Sequence, residues 1–409
     1  MAPPRNGARL LDVTRLVSCL ERGPLTGIDR VEYAYLDHLL QTDRPVFGLV
    51  RTALGFVLLD RAGCGQLAVL VRGDGVLGKT DLIGRLFLRR NPTRARAEAA
   101  VRRLAIARCA RPFLAAMLRK LPHGSSYLNV GHANLTARCM KQLHRAGLSI
   151  AIMVHDTIPL DHPEFARPGT LAPFRQKMAA VARHADFVIH TTYDARAKTE
   201  AQLARLGRVP DGVVANLGVP QPQPNPAVVP PGLNLTRPYF IAIGTVEPRK
   251  NYELLLDVWE SFGAGPDTPR LFIVGGRGWA SPDLFARLDA LPPDHPVKFL
   301  SGLPDPAVAA LLQNAVALLF PSHAEGFGLP VVEAAALGVP VITSNLRVIK
   351  ELLGDYAVYL DVTDVYSWME TIKSHVIAAP QGEIGEIGPR RRKEPPQWAD
   401  HFKIVLRDL

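Results

Sequence analysis

The second half of the sequence alternates short apolar runs with amphipathic stretches from residue 239 to residue 361. "YFIAIG", "RLFIVGG" and "VALLFPS" are predicted strands, and "NYELLLDVWESF" is a predicted helix. Strands that alternate with helices form a parallel sheet whose faces are covered by those helices. This half therefore predicts one doubly wound α/β domain with about six strands.

The first half predicts a second domain of the same class. "SYLNVG", "SIAIMVHD" and "DFVIHTT" have the composition of buried parallel strands, and "GTLAPFRQKMAAVARHA" that of a helix joining the last two. Two further runs between residues 45 and 75 are predicted to be irregular strands of unassigned order, namely "VFGLVRTALGFVLLD" and "LAVLV". A chain of 409 residues is long enough for two domains that each bury a core.

A run of prolines and small residues separates the two halves. Such a run can neither continue a helix nor occupy a central strand, so it is the predicted linker. The predicted organisation is an N-terminal domain over 1–218, a linker over 219–235, a C-terminal domain over 236–385 and a C-terminal segment over 386–409.

Composition and cysteine spacing exclude several classes of protein. With 47% hydrophobic and 21% charged residues, the chain resembles a globular protein rather than a disordered or fibrous one. Its four cysteines are at least 30 residues apart, which excludes C-x-x-C metal or redox pairs and argues against a disulfide framework. We find no signal-peptide pattern and no run of about 18 apolar residues, so a cytoplasmic location is predicted.

The net charge of +10 is concentrated in residues 79–120, which contain twelve Lys or Arg and two acidic residues. Residues 97–122 place apolar side chains at helical spacing with arginines on the remaining face, which predicts a helix lying on an anionic membrane surface. A solvated helix whose arginines cover its apolar stripe explains the pattern equally well. Nucleic-acid binding is the less favoured function of this segment, because only Phe87 and Phe113 could stack on bases.

Two glutamates flank a Gly-Phe-Gly turn in "EGFGLPVVEAAALG", and Pro330 and Gly338 are placed to begin and end a helix there. The N-terminus of this helix follows a strand, at the sheet edge where α/β proteins bind ligands. Free amides at a helix N-terminus suit a phosphate or a sugar hydroxyl. These amides belong to Gly326, Phe327, Gly328 and Leu329. The helix dipole alone could explain Glu333, whereas Glu325 precedes the glycines and has no dipole role.

The spacing of Glu325 and Glu333 resembles the E-x7-E motif of retaining glycosyltransferases of family 4. That family has the GT-B fold, in which two Rossmann-like domains face each other and a C-terminal helix crosses back to the first. "QWADHFKIVLRDL" resembles this last helix. The resemblance implies that Glu325 contacts the donor sugar and that Glu333 holds the ribose of the nucleotide.

The resemblance extends to "GTVEPRKNYELLLDVWESF", which begins at Gly244. It implies that Arg249 and Lys250 bind the diphosphate of the donor. Two cations next to a strand end, after a glycine that allows close approach, also suit two phosphates on physical grounds. Gly276 stands where the family commonly has a lysine.

In the first half, "MVHDTIPLDHPEF" resembles the stretch that carries the family's active-site histidine. The resemblance implies that His155 points into the cleft opposite Glu325 and hydrogen-bonds a sugar hydroxyl. Asp156 either binds the acceptor or caps the following turn.

"RGPLTGIDRVEYAYLDHLL" resembles the N-terminal glycine-rich loop and helix of the family. Only Gly27 stands where the family usually has two adjacent glycines, and Asp29 follows closely. Gly27 and Arg30 are therefore candidates for the acceptor side of the cleft.

The resemblance implies transfer of a hexose, with retention, from a nucleotide-diphosphate sugar to a hydroxyl of a glycan or lipid-linked glycan. "HDTIP" and "GTVEPRKN" are similar to the mannosyl- and rhamnosyltransferase branch that builds bacterial surface polysaccharides, which favours a GDP-linked or dTDP-linked donor. The chain has no D-x-D pair to hold a divalent cation on the diphosphate, so a reaction without metal or cofactor is predicted. A lipid-linked acceptor would place the protein at the inner face of the cytoplasmic membrane.

Three alternatives remain at this point. A nucleotide-sugar epimerase of similar fold would turn over without an acceptor, but "EGFGLPVVEA" argues against it. A glycan phosphorylase would need a lysine placed for pyridoxal phosphate, and we find no motif for one. A non-catalytic basic protein that binds membrane or nucleic acid would explain residues 79–120 but not Glu325, Arg249 and Lys250.

Overall fold

The computed structural model of the protein describes residues 7–407 except 22, 24, 26, 234, 264, 266, 267 and 379–390. Within these residues, fourteen strands form two separate sheets, one in each half of the chain. Two Rossmann-like domains are therefore present, as the alternation of apolar runs predicted.

The first sheet has eight strands among the described residues, in the order β4-β3-β2-β1-β5-β6-β7-β8. All neighbours pair in parallel except around β3, which runs antiparallel to both β2 and β4. The strands are β1 (Arg9–Asp12), β2 (Val46–Thr52), β3 (Gly55–Leu59), β4 (Ala107–Ala110), β5 (Ser126–Asn129), β6 (Ser149–Val154), β7 (Phe187–His190) and β8 (Asp211–Val214).

The second sheet is parallel throughout the part of the chain described, with six strands in the order β11-β10-β9-β12-β13-β14. Every strand predicted from residue 239 onward is present. The strands are β9 (Tyr239–Ile243), β10 (Arg270–Val274), β11 (Val297–Leu300), β12 (Leu318–Phe320), β13 (Val341–Ser344) and β14 (Val358–Leu360).

Helices cover both sheets. Those of the first half are α1 (Thr14–Cys19), α2 (Gly27–Gln41), α3 (Arg61–Arg72), α4 (Leu82–Phe87), α5 (Pro92–Arg103), α6 (Leu114–Leu118), α7 (Ala137–Arg145), α8 (Ile158–Asp161), α9 (Leu171–His184) and α10 (Tyr193–Leu206). Those of the second half are α11 (Tyr252–Phe262), α12 (Pro282–Asp289), α13 (Asp305–Gln313), α14 (Leu329–Leu337), α15 (Arg347–Leu353), α16 (Val365–Ala378) and α17 (Trp398–Val405). None of the helices described is long and apolar enough to cross a bilayer.

The inner strands of the first sheet, such as β1, β3 and β5, are buried on both faces. Consecutive residues of a strand point to opposite faces, and Leu10 and Leu11 are both fully buried in different apolar clusters. Leu10 shares its cluster with Met140 of α7 and Val181 of α9. Burial on both faces is why these strands read as continuous apolar runs in the sequence.

The C-terminal helix α17 crosses back to the first domain, as the resemblance implied. His401 of α17 hydrogen-bonds the Tyr35 hydroxyl at 2.7 Å, and Phe402 stacks on His38 with ring centroids 3.9 Å apart. Gly218 lies against Trp398, since a Cβ at position 218 would lie 2.3 Å from the indole. This contact ties the end of the chain to the beginning of the linker.

The predicted linker, residues 219–235, lies between β8 and β9 in the chain. The linker contacts the C-terminal domain, because the amide of Asn225 donates a hydrogen bond to the carbonyl of Pro306 at 3.0 Å. Asn234 lies outside the described residues, as does the predicted boundary between residues 385 and 386.

The prediction of a strand at "LAVLV" is wrong, because this run lies inside α3. The Asp60 carboxylate caps the helix by accepting from the Gly63 amide, and Gly73 ends it in the left-handed conformation at φ 85°. Leu67 is fully buried on the inner face of the helix. A short apolar run alone does not distinguish a strand from a buried helix turn.

The prediction of one basic helix over residues 97–122 is also wrong. The segment forms the end of α5, then strand β4 paired antiparallel with β3, then α6. Arg102 of α5 points inward, with only 4% of its surface exposed, and its guanidinium pairs with Asp81 and Glu98. The helix therefore does not place all its arginines on one solvent face.

Candidate functional site

The strand order reverses between β9 and β12 in the second sheet, so the loops after these two strands diverge and leave a crevice between them. The loop after β9 begins at Gly244, whose φ of 150° favours glycine. A Cβ at position 275 would lie 2.0 Å from the Gly244 carbonyl oxygen, so the turns after β9 and β10 are in contact. A short turn, Pro248–Lys250, then presents two cations.

Glu325, in the loop after β12, lies between those cations. Its Oε1 is 2.6 Å from Lys250 Nζ and its Oε2 is 2.7 Å from Arg249 Nη1. Arg249 also pairs with Glu247 through Nη2 at 2.6 Å and donates to the Ala324 carbonyl at 3.0 Å. The predicted diphosphate residues and the predicted sugar residue thus form one cluster that joins the two loops.

The electrostatics of the cluster follow from its burial. Burial alone would raise the pKa of Glu325, but Arg249 and Lys250 outweigh it and lower that pKa to about 2. Burial also opposes the charge of Arg249, yet Glu325 and Glu247 raise its pKa. Burial raises the pKa of Glu247, with Arg249 acting against it. Burial lowers the pKa of Lys250, and Glu325 acts against this. Glu325 is therefore a carboxylate at neutral pH, paired with the buried Lys250 and the partly exposed Arg249.

The N-terminus of α14 forms the floor beside this cluster. Gly328 precedes the helix at φ 91°, a conformation in which glycine is favoured, and Gly338 ends it. Within the described chain, the amides of Gly326, Phe327 and Gly328 donate to no backbone or side-chain acceptor. Leu329 begins the helix, so the helix N-terminus directs its free donors into the crevice.

Glu333 lies on α14 and is reached from the other domain. Arg30 of α2 crosses the cleft, with Nη1 3.3 Å from Glu333 and Nη2 2.7 Å from Asp305. Burial raises the pKa of Glu333, and Arg30 acts against this. Gly27, the first residue of α2 at φ 32°, is exposed near the same end of the helix. The sequence placed Arg30 on the acceptor side, and the structure places its guanidinium on Glu333.

His155 follows β6 of the first sheet and has 7% of its surface exposed. Its Nε2 lies 2.7 Å from the Val130 carbonyl oxygen, which can only accept, so Nε2 carries the proton and Nδ1 is an acceptor. Burial lowers its pKa to about 4, so the ring is neutral at pH 7. The ring of His132 lies beside it, with centroids 5.1 Å apart.

The two domains are in contact where His155 meets the Glu325 loop. A Cβ at position 326 would lie 2.8 Å from the His155 carbonyl oxygen and 2.9 Å from Asp156 Cβ, so only glycine fits there. Thr191 donates to the Gly326 carbonyl at 3.3 Å. Asp156 accepts from the Ile158 amide at 3.1 Å, which is the turn-capping role. The loop that carries Glu325 therefore contacts the loop that carries His155 across the domain boundary.

Two residues of the site were not predicted. Glu247 holds Arg249, and its signal was its position in the same loop, three residues after Gly244. His132 lies just after β5 in "NVGHAN", and a polar residue near the carboxyl end of a buried strand was the signal available. Among the described residues, no group of three or more His, Cys, Asp or Glu side chains could hold a metal ion.

Comparison with known proteins identifies the second domain. Residues 228–376 match the family model described as glycosyl transferases group 1. This part of the chain is a glycosyltransferase group 1 domain. The cluster of Arg249, Lys250 and Glu325 and the helix α14 lie inside it.

The glycosyltransferase domain is homologous to O-antigen mannosyltransferases. The serotype-specific mannosyltransferase WbdA of Escherichia coli is 31% identical over 235 residues, which cover 53% of this chain and 28% of that protein. The O-antigen chain mannosyltransferase B of E. coli is 33% identical over 149 residues, covering 36% of this chain and 37% of that protein. The chain thus matches well under half the length of these two relatives.

The fold has solved counterparts over nearly its whole length. The Anabaena protein HepE, crystallised with UDP and glucose, superposes with a TM-score of 0.54 at 16% identity, covering 90% of this chain and 89% of that one. Together with the two facing sheets and α17, this gives the GT-B architecture that the sequence motifs implied.

Proposed function

We propose that this protein is a retaining glycosyltransferase that moves a hexose from a nucleotide-diphosphate sugar to a hydroxyl of a glycan acceptor in polysaccharide biosynthesis. The observation that carries the proposal is the contact of Arg249 and Lys250 with Glu325 at the crevice of a glycosyltransferase group 1 domain. It supplies one buried and one partly buried cation, each within hydrogen-bond distance of a carboxylate, as a diphosphate attached to a sugar requires.

The donor diphosphate is proposed to bind Arg249 and Lys250 in place of the Glu325 carboxylate. Charge-assisted hydrogen bonds from both side chains would stabilise the negative charge that develops on the leaving diphosphate. Gly326, Phe327 and Gly328 would add their free amides at the positive end of α14. Gly244 lets the phosphates approach the backbone.

Release from its ion pairs frees the Glu325 carboxylate to accept hydrogen bonds from the sugar hydroxyls. Glu333 is proposed to accept from the ribose hydroxyls, with Arg30 next to it. The neutral ring of His155 offers Nδ1 as an acceptor to a hydroxyl near the reacting carbon. The sugar would then be held from both domains.

In the proposed reaction the bond from the anomeric carbon to the diphosphate breaks and the acceptor oxygen bonds to that carbon on the same face. The acceptor proton passes to the leaving phosphate oxygen. No protein base is assigned to this step, and Glu325 is assigned to orientation rather than proton transfer because the leaving phosphate takes the acceptor proton. The cationic pair performs the charge neutralisation for which other glycosyltransferases use a divalent cation, so we propose a metal-independent reaction without a cofactor.

A GDP-linked hexose, GDP-mannose first, is the proposed donor, since the homologous stretches belong to mannosyltransferases. A dTDP-linked sugar is the next candidate. The acceptor is proposed to be a lipid-linked glycan met at the inner face of the cytoplasmic membrane, with the protein otherwise in the cytoplasm.

The test is a thermal-shift screen of GDP, dTDP, UDP and ADP in EDTA on the wild type and on Glu333→Ala. A ligand at about 100 times its dissociation constant stabilises a fold by about 2.7 kcal/mol, which is a measurable rise in melting temperature. We expect one nucleotide to raise the melting temperature of the wild type and to lose most of this effect in the variant. Transfer from the matching nucleotide sugar, with retained anomeric configuration by NMR, completes the test. If no nucleotide stabilises the wild type, the proposal fails.

A further inference from the structure

The short helix α4 of the first domain exposes three large apolar side chains. Leu82, Leu86 and Phe87 have 74%, 71% and 60% of their surfaces exposed. Leu82 and Leu86 are four residues apart and so lie on the same face of the helix. Clustered apolar side chains of this size on a soluble domain mark an interaction surface more often than isolated ones do.

The protein holds α4 in this orientation. The Asp81 carboxylate caps the helix at the Gly84 amide, 2.8 Å away, and accepts two hydrogen bonds from Arg102 at 2.7 and 2.8 Å. Gly84 lies against α5, since a Cβ there would lie 3.2 Å from Ala95 Cβ. The inner face of α4 is thereby fixed on α5, and Leu82 and Leu86 point to solvent.

Unpaired cations surround these apolar side chains. Lys79, Arg85, Arg89 and Arg90 are exposed, and none of them forms an ion pair with another described residue. The two acidic residues of residues 79–120, Asp81 and Glu98, are both engaged by arginines of α5. The outer face of α4 therefore combines apolar anchors with uncompensated positive charge.

Helix α5, on which α4 packs, reaches the loops at the carboxyl edge of the first sheet. Arg96 of α5 pairs with Glu21, which follows α1, at 2.5 Å. Glu98 of α5 accepts from the amide of Ala53, in the turn after β2, at 3.0 Å. β1, β2 and β6 run parallel, so their carboxyl ends share the sheet edge that carries His155.

We propose that the α4 surface, made of Leu82, Leu86 and Phe87 with Lys79, Arg85, Arg89 and Arg90, docks on an anionic lipid bilayer. Side chains of the first group enter the interface while the cations contact anionic headgroups. Because α4 packs on α5 and α5 reaches the carboxyl edge of the first sheet, docking would bring that edge towards membrane-bound acceptors. The inference goes beyond donor binding and does not depend on it.

The composition of this surface argues against a second copy of the chain or a nucleic acid as its partner. A symmetric contact between two copies would place this cationic face against itself, and like charges would repel. A nucleic-acid groove would present aromatic rings for stacking, whereas two of the three anchors here are leucines. The sequence suggested arginines of α5 for this role, but Arg102 of that helix forms an ion pair with Asp81 inside the protein.

The experiment measures sedimentation of the protein with vesicles of phosphatidylglycerol and phosphatidylcholine, and with phosphatidylcholine alone. We expect binding to the anionic vesicles only, and weaker binding at high salt. Leu82→Ser/Leu86→Ser/Phe87→Ser should lower the partition constant about 100-fold or more, because each exposed anchor loses its apolar transfer. Arg85→Gln/Arg89→Gln/Arg90→Gln should lower it about 100-fold, since each cation near an anionic surface contributes about one kcal/mol.

The matched control is Tyr366→Ser/Ile377→Ser, which removes apolar side chains 69% and 83% exposed on α16 of the other domain and should leave the partition constant unchanged. Melting temperature and nucleotide binding of each variant show that the fold and the donor site remain intact. The proposal is overturned if the wild type ignores anionic vesicles or if the α4 variants bind like the wild type. It is also overturned if the substitutions change only the sedimentation velocity of the protein alone, which would indicate a contact between copies.

Discussion

The two sheet edges that face each other across the cleft differ in charge. The edge of the second sheet holds Arg249, Lys250, Glu247 and Glu325 in one ionised cluster. The edge of the first sheet presents His155 as a neutral ring whose pKa burial lowers to about 4. A pair of cations held by carboxylates can exchange those carboxylates for a diphosphate, whereas a neutral imidazole suits a hydroxyl. In the proposed function, the second domain binds the charged diphosphate of the donor and the first domain contacts a neutral sugar hydroxyl.

The largest expected effect comes from removing a cation of the charged edge. Lys250→Met should lower kcat/KM for the donor about 10³-fold, because a preorganised charge opposite the leaving group is lost. It should also destabilise the fold by about 3–5 kcal/mol, since Glu325 stays buried with one partner fewer. Steady-state kinetics and urea unfolding measure the two effects. Arg287→Met, which breaks a partly exposed pair with Asp257, is the control and should change neither by much. Equal behaviour of the two variants would contradict the assignment.

Glu325→Gln tests whether the carboxylate competes with the diphosphate. We expect kcat to fall about 10²-fold because the sugar is no longer oriented by a charged acceptor. Nucleoside diphosphate binding should become tighter, because Arg249 and Lys250 are no longer neutralised by it. Calorimetry with the nucleotide measures the second effect. Weaker binding in the variant would show that Glu325 supports the phosphate site rather than occupying it.

Gly326→Ala tests the contact between the two edges. The added methyl group meets the His155 carbonyl oxygen at 2.8 Å and Asp156 Cβ at 2.9 Å, so the domains must move apart. Turnover should fall about tenfold while nucleotide affinity changes less, because a small displacement of positioned groups slows the reaction. Gly276→Ala is the matched control, since nothing lies within 4 Å of its added Cβ. Identical kinetics of the two variants would show that the contact of Gly326 with the first domain does not affect turnover.

The two edges should also respond to acid in different pH ranges. His155 has a folded pKa of about 4 against 6.5 in the unfolded chain, so the unfolded state binds more protons between these values and stability falls as pH drops through them. Glu325, lowered from 4.5 to about 2, contributes stability that is present above 4.5 and lost below it.

Urea unfolding at a series of pH values separates these contributions. His155→Gln should flatten the stability curve between pH 6.5 and 4 by up to about 3 kcal/mol, in a range where His190 and His401 also contribute. Glu325→Gln should flatten it only below pH 4.5. A single variant that flattened both ranges would mean that the edges are not electrostatically separate.

The smallest expected effect is that of Arg30→Ala. Its ion pairs with Glu333 and Asp305 are partly exposed, so stability should change by less than about 1 kcal/mol. If Arg30 contacts the ribose side of the donor, KM for the donor should change several-fold while kcat stays similar. Arg72→Ala, whose pair with Asp74 is also exposed, serves as the comparison for stability. A large fall in kcat would place Arg30 in the reacting machinery instead.

The two domains also differ in how much their sequences reveal. In the second domain, the local sequence pattern predicts each strand and helix, and Pro330 and Gly338 mark the beginning and the end of α14. In the first domain, β3 and β4 form an antiparallel edge of the sheet that no local sequence pattern predicts. Arg102 is buried and points inward, where it pairs with the partly exposed Asp81. Both features depend on contacts between residues far apart in the chain, which a single sequence does not reveal.

The site follows the same division. The order of residues around the turn placed Glu325 and Glu333 at a helix N-terminus, because a glycine and a proline determine the local backbone. The ion pair of Lys250 with Glu325 joins residues 75 positions apart in the chain, and the position of Arg30 on Glu333 depends on how two domains face each other. Neither follows from spacing.

The most direct test of the central claim is calorimetric titration of GDP, dTDP, UDP and ADP, in EDTA, into the wild type and Lys250→Met. One nucleotide should bind the wild type without metal, and its affinity should fall at least about tenfold in Lys250→Met, whereas Arg287→Met should bind like the wild type. Binding of equal strength to wild type and Lys250→Met would contradict the claim that the buried cations form the diphosphate site, and so would binding that requires magnesium.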